Sequence, residues 1–298
     1  MSSASWSLQE AWLAARAPFV GGAAWVDWPA LGDRLRALGL PDAVAGALSQ
    51  PERWMFAVHG VLALEGVFLA GVLFFFVIDH FDLLPRYRIA NSQPYPSRAL
   101  LLKCASGIAV DHALVRPLML LAVYPAVAWR VDFGAQVPAA ATLAWQLLVC
   151  SQVDDALFYW AHRAAHHRLL YPWLHKQHHE FKHPVAMSVQ YAHPLEDLFV
   201  NTVPTVAGPL LLGGHAVLFW LYAALKLHQS IDAHSGYALP FPLSPYTIEW
   251  LGLDCARAHD YHHSNNAGNY GGWTIAWDYV MGTDAHYRAH RRKQAKQA

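Results

Sequence analysis

The sequence predicts an all-α integral membrane protein. The expected architecture is a helical bundle of about four or five spans or broken spans, with a cytosolic helical cap that carries clustered histidines. Three observations predict it. Charged residues make up only 14% of the 298-residue chain and apolar residues 55%, against ~25% charged in ordinary soluble domains. Several runs are apolar enough to enter or cross a bilayer. Sixteen of the 19 histidines follow residue 160, in clusters that adjoin those runs. The same numbers exclude other classes. Lys+Arg and Asp+Glu are 21 each, so no basic field draws nucleic acid. A disordered chain has the opposite balance of apolar and charged residues. Cys104, Cys150 and Cys255 lack the paired spacing of a disulfide framework or a cysteine zinc finger.

The chain divides into an N-terminal interfacial or irregular segment (1–53) and one membrane domain (54–298). The start lacks a basic region leading into an unbroken apolar core, so it is not a signal peptide. Leu8–Phe19 reads as an amphipathic interfacial helix. Trp54–Phe81 is the strongest span: its stretch Val61–Ile78 holds a single acid, Glu65, and about 20 apolar residues cross a bilayer. A second span is expected over Ala113–Trp129, bent at Pro117 and Pro125, with 100–110 in the same element. Ala139–Trp160 is the third, and it runs directly into the first histidine cluster. The last apolar stretch, Leu198–Leu227, contains Pro204, Pro209, Gly213 and Gly214, which predict a broken helix or a tight hairpin. Basic residues fall in three groups: 86–103, 163–182 and 288–296. The positive-inside rule places all three, and the histidines with them, on the cytosolic side.

Three clusters share one grammar. HRAAHH holds His162, His166 and His167; HKQHH holds His175, His178 and His179; HDYHH holds His259, His262 and His263. On a helix, residues i, i+3 and i+4 share a face, so each cluster is expected to point two or three imidazoles at one locus. His234, in SIDAHSG, follows the last apolar stretch, and His193 is a weaker addition. A lone histidine on an apolar face is more often core or solvent-exposed, but three such clusters in one chain point to a structured metal site. Neutral imidazole suits iron, zinc, copper and nickel. Nine or ten imidazoles exceed the four ligands of a structural zinc, so two ions use the donors better. HEFKH (179–183) is a literal HExxH, but Pro184 stops the helix that a zinc protease needs there.

At DDALFYWAHRAAHH (154–167), LHKQHHEFKHPVAM (174–187), YAHPLED (191–197), IDAHSGY (231–237), HDYHHSNNAGNYG (259–271) and WDYVMGTD (277–284), the sequence resembles the fatty acid hydroxylase/sterol desaturase superfamily of membrane non-haem di-iron enzymes. The branch it most resembles is the C-4 methylsterol oxidases. PRYRIANSQ (85–93) is similar to a short basic-aromatic segment of the same family. The resemblance covers roughly 55–290. Gln229 stands where an acid is expected, Ala258 replaces a histidine, and Asp154–Asp155 replaces a Glu-Asp pair.

The resemblance implies that His162, His167, His175, His178, His179, His234, His259, His262 and His263 are metal ligands, with His166 beside them. Asp155, Glu180, Asp232 and Asp260 adjoin those positions and are expected to accept the second imidazole N–H. The implied cofactors are two iron ions, replaceable by zinc on purification, with O2 as co-substrate. The implied reaction is oxygen insertion at a sterol C-4 methyl group, through alcohol and aldehyde to acid. Sterol desaturation, fatty-acyl or carotenoid hydroxylation and an aldehyde-processing reaction share the scaffold. A membrane metal-transport protein is a more distant reading, which predicts ligands inside the spans. No dinucleotide, flavin or haem-binding motif is present, so a separate donor, a b-type cytochrome or a ferredoxin with its reductase, is expected to deliver electrons. Alanine-rich composition points to a bacterial inner membrane over the endoplasmic reticulum.

Overall fold

A computed structural model describes residues 7–248 and 253–296. The N-terminal segment, expected to be irregular or interfacial, folds as three short helices: α1 (Leu8–Arg16), α2 (Trp28–Ala37) and α3 (Asp42–Leu48). A reciprocal capping box starts α1, with Ser7 Oγ accepting from the Glu10 amide and Glu10 Oε2 accepting from the Ser7 amide. Trp12 buries one face of this helix, and its Nε1 donates to the Gly134 carbonyl at 2.8 Å. The segment is thereby tied to the loop at 130–139.

Helix α4 (Pro51–His80) is 30 residues long, about 45 Å at 1.5 Å per residue. Proline at its first position costs no hydrogen bond. Its two faces separate. Phe56, Gly60, Phe68, Gly71 and Phe75 are buried, whereas Leu62, Leu69, Leu73 and Phe76 form an exposed apolar stripe. Helix α5 (Arg98–Val110) continues through a π turn (Asp111–Val115) into α6 (Arg116–Ala128). That wide turn lies just ahead of Pro117, which supplies no backbone N–H and whose ring crowds the preceding turn. The predicted bend takes this form, and the second span begins at Arg98, well before Ala113. Leu102, Leu114 and Leu118 are exposed along it.

Among the described residues, two helical rods are long and apolar enough to cross a membrane, Pro51–His80 and Arg98–Ala128. Four or five spans were expected. The third apolar run folds as α7 (Ala140–Ala165), but Asp154 and Asp155 are buried on it and interrupt its apolar length. After α8 (Tyr171–Leu174) and two short 3-10 turns (His178–Glu180 and Ala186–Gln190), α9 (Pro194–Glu196) and a π turn (Asp197–Thr202) lead into α10 (Val203–Leu212). Gly213, at φ 64°, ends α10 in the left-handed conformation, and α11 (Ala216–Ala233) follows. The last apolar stretch is thus two helical segments joined at a glycine.

Helix α11 packs on α4, and α10 packs on α7. The second contact depends on Gly208: a Cβ there would come within 2.7 Å of the Cys150 backbone. A small antiparallel ribbon, β1 (Thr247–Ile248) with β2 (Leu253–Asp254), precedes α12 (Cys255–Asn265). Helices α13 (Ala276–Met281) and α14 (Ala285–Ala295) close the chain.

A buried ionic knot ties α4 to α6. Arg116 donates to Glu65 at 2.9 Å, to Asp111 at 2.9 Å and to the Gln190 side chain at 2.8 Å. Satisfying one guanidinium with two carboxylates and an amide offsets the cost of taking the charge out of water.

Candidate metal centre

Four chain segments bring nine imidazoles together. The last turn of α7 supplies His162, and the residue that caps it supplies His166. The loop after α8 supplies His175, His178 and His179; the C-cap of α11 supplies His234; and α12 supplies His259, His262 and His263. They form two groups. His162, His166, His175, His179 and His262 make one, and His178, His234, His259 and His263 make the other, with ligand atoms within 4.8 Å of one another in each group.

This division corrects the expectation that each cluster serves one locus. In HKQHH and in HDYHH the i, i+4 pair stays together and the i+3 histidine crosses to the other group. Each of these two motifs therefore stitches the groups to one another. Across the groups, His179 and His263 have ring centres 4.7 Å apart, and His175 and His178 5.4 Å.

Within each group the Nε2 atoms meet at close range. In the first, His162–His175, His175–His179, His179–His262 and His262–His166 are separated by 3.1, 3.0, 3.1 and 3.1 Å. In the second, His178–His234, His234–His259 and His259–His263 are separated by 3.2, 3.0 and 3.1 Å. Neighbouring nitrogen donors ~2.1 Å from one ion lie about 3.0–3.4 Å apart in tetrahedral or octahedral arrangements.

The opposite edges of the rings settle what those nitrogens carry. Nδ1 of His178 donates to the Tyr191 carbonyl, of His234 to Ser230, of His262 to Gly268, and of His263 to Phe181. A carbonyl only accepts, so these Nδ1 atoms hold the ring hydrogen and their Nε2 atoms are bare lone pairs. His178 and His234 thus point two lone pairs at each other across 3.2 Å. A cation between the rings turns that repulsion into ligation. Burial keeps the rings neutral. It lowers His178 to about 4 and holds His175, His179, His259, His262 and His263 well below the ordinary value, with neighbouring imidazoles adding to the effect in those five. The donor set therefore fits two nitrogen-liganded metal ions, and no cysteine joins it: Cys104, Cys150 and Cys255 are buried and free elsewhere.

Other expected positions fall outside both groups. His167 is exposed, and its Nδ1 accepts from the Leu169 amide at 3.4 Å. Helix α7 ends at Ala165, so His166, one turn on from His162, keeps the inward direction while His167 leaves the helix face. His193 caps α9 by accepting from the Leu195 amide. None of the four carboxylates expected to hold imidazoles does so. Asp155 accepts from Trp273 and Thr274, Glu180 from Lys103 and Tyr191, Asp232 from Ser244, and Asp260 from Asn91. Each anchors a loop against the centre. Asn91 belongs to 85–93, where the Ile89 amide also donates to the Gly236 carbonyl beside His234. The carboxylate that does meet an imidazole is Glu196, which accepts from His175 Nδ1 at 2.7 Å. It was legible only as the acid in YAHPLED, without a helical spacing to link it to His175. HEFKH is no protease helix: His178–Glu180 is a 3-10 turn, and His183 Nδ1 donates to the Gln93 carbonyl.

A cavity opens against the groups. His162, His175, His178, His234 and His259 form one end of it. Leu64 of α4, Met119, Leu120 and Val123 of α6, and Phe219 and Trp220 of α11 also line it, with Arg116, Asn201 and Lys226 among the polar side chains. Tyr222, on the same helix, does not line it and donates to Asp154 Oδ2 at 2.7 Å.

The sequence model of the family described as Fatty acid hydroxylase matches residues 147–283, which include all nine grouped histidines. Methylsterol monooxygenase 1 of Rattus norvegicus is 33% identical over 230 residues, covering 76% of this chain and 75% of the rat protein. The chain belongs to the fatty acid hydroxylase family. Within this family, methylsterol monooxygenase 2-2 of Arabidopsis thaliana is 34% identical, over 75% of this chain and 84% of the plant protein. Very-long-chain aldehyde decarbonylase GL1-11 of Oryza sativa is 33% identical over the same shares of each chain. No solved structure matches the chain. Members of the family named as oxidative lipid enzymes thus accompany a histidine-lined apolar cavity, and this chain is an oxidoreductase of lipid metabolism associated with the membrane.

Proposed function

We propose that the chain is a non-haem di-iron monooxygenase that oxidises a C-4 methyl group of a sterol. The observation that carries this reading is that five of the nine imidazoles, drawn from both groups, line one cavity together with a largely apolar set of side chains from α4, α6 and α11. A rigid, flat, mostly hydrocarbon substrate suits such walls, with one methyl group presented to the metals.

His162, His166, His175, His179 and His262 would hold one ion, and His178, His234, His259 and His263 the other. The ions, when bound, would supply dioxygen activation and hydrogen abstraction from an unactivated C–H, with electrons from a separate cytochrome or ferredoxin. The chain's own residues prepare that chemistry. The carbonyls of Tyr191, Ser230, Gly268 and Phe181 fix the tautomers so that every donor faces inward. Glu196 holds the His175 ring hydrogen and raises its basicity. Leu120, Phe219 and Trp220 exclude water from the substrate space. The grouped histidines adjoin the ends of the apolar helices, on what we take as the cytosolic side of the membrane from the surrounding basic residues.

The second reading is an aldehyde-processing or other lipid reaction on the same scaffold, which the similarity to the rice decarbonylases favours. The test is lipid extraction from cells with and without the gene, followed by mass spectrometry. Accumulation of 4-methylsterols on deletion supports the proposal. Unchanged sterols with altered fatty acyl chains, aldehydes or alkanes overturn it in favour of the second reading.

A further inference from the structure

Among the polar residues that face the cavity, Arg116 and Lys226 are the two cations. Arg116 is fully engaged by Glu65, Asp111 and Gln190. Lys226 is different. It is buried, at 5% exposure, in the middle of an apolar helix, where an ammonium is costly unless something uses it.

Its surroundings hold it without saturating it. One N–H donates to Gln229 Oε1 at 3.3 Å. The nearest carboxylate oxygen, Asp154 Oδ2, is 3.6 Å away and already accepts from Tyr222 and Trp273; that separation is beyond an ordinary hydrogen bond. The ammonium sits over the Phe158 ring at 4.5 Å and the Trp273 ring at 5.3 Å, an arrangement that partly replaces lost hydration. Gly272 makes room for it: a Cβ at that position would stand 3.0 Å from Lys226 Nζ and 2.9 Å from Phe158.

Two features place the ammonium near the metals. Lys226, Ser230 and His234 lie at i, i+4 and i+8 on one stripe of α11, and all three line the cavity. Phe158, under the ammonium, packs at a tilt against His162, one turn along α7, with ring centres 5.2 Å apart. Lys226 is therefore one aromatic ring away from the first histidine group.

We propose that Lys226 is the substrate-anchoring residue, its ammonium donating to an oxygen on the ring carbon next to the one that bears the oxidised methyl group. This rests on the sterol reading. In a 4-methylsterol the 3-hydroxyl is on the carbon adjacent to C-4, so the anchor must stand close to the metals. Arg116, engaged by α4 and the 186–190 turn, does not meet that need. Water is displaced from the ammonium as the sterol enters, and the hydroxyl replaces it.

The test is equilibrium binding to the purified full chain in detergent, with a 4-methyl-3-hydroxysterol and its 3-deoxy analogue, followed by Trp fluorescence. The wild type is expected to prefer the hydroxysterol by about 10–100-fold, the range of a hydrogen bond to a charged group. Lys226→Met is expected to bind both sterols at the weaker level, and Lys226→Arg to keep a preference. Equal affinities in the wild type, or an undiminished preference in a folded Lys226→Met, overturn the anchor. Should Lys226→Met fail to fold, the wild-type ratio and Lys226→Arg still decide it. Absence of saturable binding of either sterol to the wild type overturns the sterol reading itself, and the anchor with it.

Discussion

Glu196 and His175 are joined by a 2.7 Å hydrogen bond between a carboxylate and an imidazole that are both almost wholly buried. Among the described residues, Glu196 is the one carboxylate that meets an imidazole of either group, and its second oxygen has no partner there. Replacing it with Ala frees the His175 ring to rotate. We expect Glu196→Ala to weaken metal retention by about 10–100-fold, measured as metal content after dialysis against graded chelator. Asp260→Ala, which removes a contact to Asn91, is expected to leave that titration close to wild type.

His166 and His167 provide a sharper contrast, because they are adjacent in sequence and opposite in environment. His166→Ala removes one of five donors from the first group and is expected to lower metal content. His167→Ala is expected to change neither metal content nor stability by more than about 0.5 kcal/mol, as for ordinary exposed positions. Metal analysis and thermal unfolding of the two variants side by side check this. Equal loss of metal in both would show that the group's membership is misassigned.

The metal-free protein has a definite pH dependence. His178, lowered to about 4 from an ordinary 6.5, stays neutral in the folded state where the unfolded chain takes up a proton. Between those values the unfolded state binds more protons, so stability is full above the ordinary value and falls as the pH drops toward about 4. His263 and His262 shift in the same direction. Unfolding temperature of chelator-treated protein should therefore decline steeply from about pH 7 to about pH 5. Bound metal, which competes with protons for the same nitrogens, should flatten the decline.

Arg116 predicts a large effect away from the metals. Arg116→Met leaves Glu65, which keeps His112, and the more exposed Asp111 without the guanidinium, at a cost below the ~3–5 kcal/mol of breaking a fully buried pair. Unfolding in detergent reads this directly. A variant that also carries Glu65→Gln should recover part of the loss, because the uncompensated charge is then smaller.

The sequence made the histidine centre legible because nine imidazoles in short-spaced clusters have few other physical uses. It did not reveal how they divide. The i, i+3 and i+4 rule treats each cluster as one helix face, but the 175–179 segment is a tight non-helical turn, and on α12 the i+3 ring of His262 crosses to the other group. The carboxylates were misjudged for a related reason. Adjacency in sequence put Asp155 and Asp260 beside ligands, yet a helix turns neighbouring residues about 100° apart, so both face loops. Glu196 reaches His175 across 21 residues of irregular chain that no periodicity describes. The two apolar rods were plain in composition. The shorter apolar runs were less plain, because aspartates buried on α7 and the glycine break after α10 interrupt their apolar length.

The most direct measurement of the central claim uses the purified chain loaded with ferrous iron, in lipid discs with a reductant system, a 4-methylsterol and isotopically labelled O2. The expected product is a 4-hydroxymethyl or 4-carboxy sterol carrying the label, formed only by protein that retains both metal groups. Unchanged 4-methylsterol, with label appearing instead in a fatty acyl chain or in an aldehyde-derived product, would contradict it.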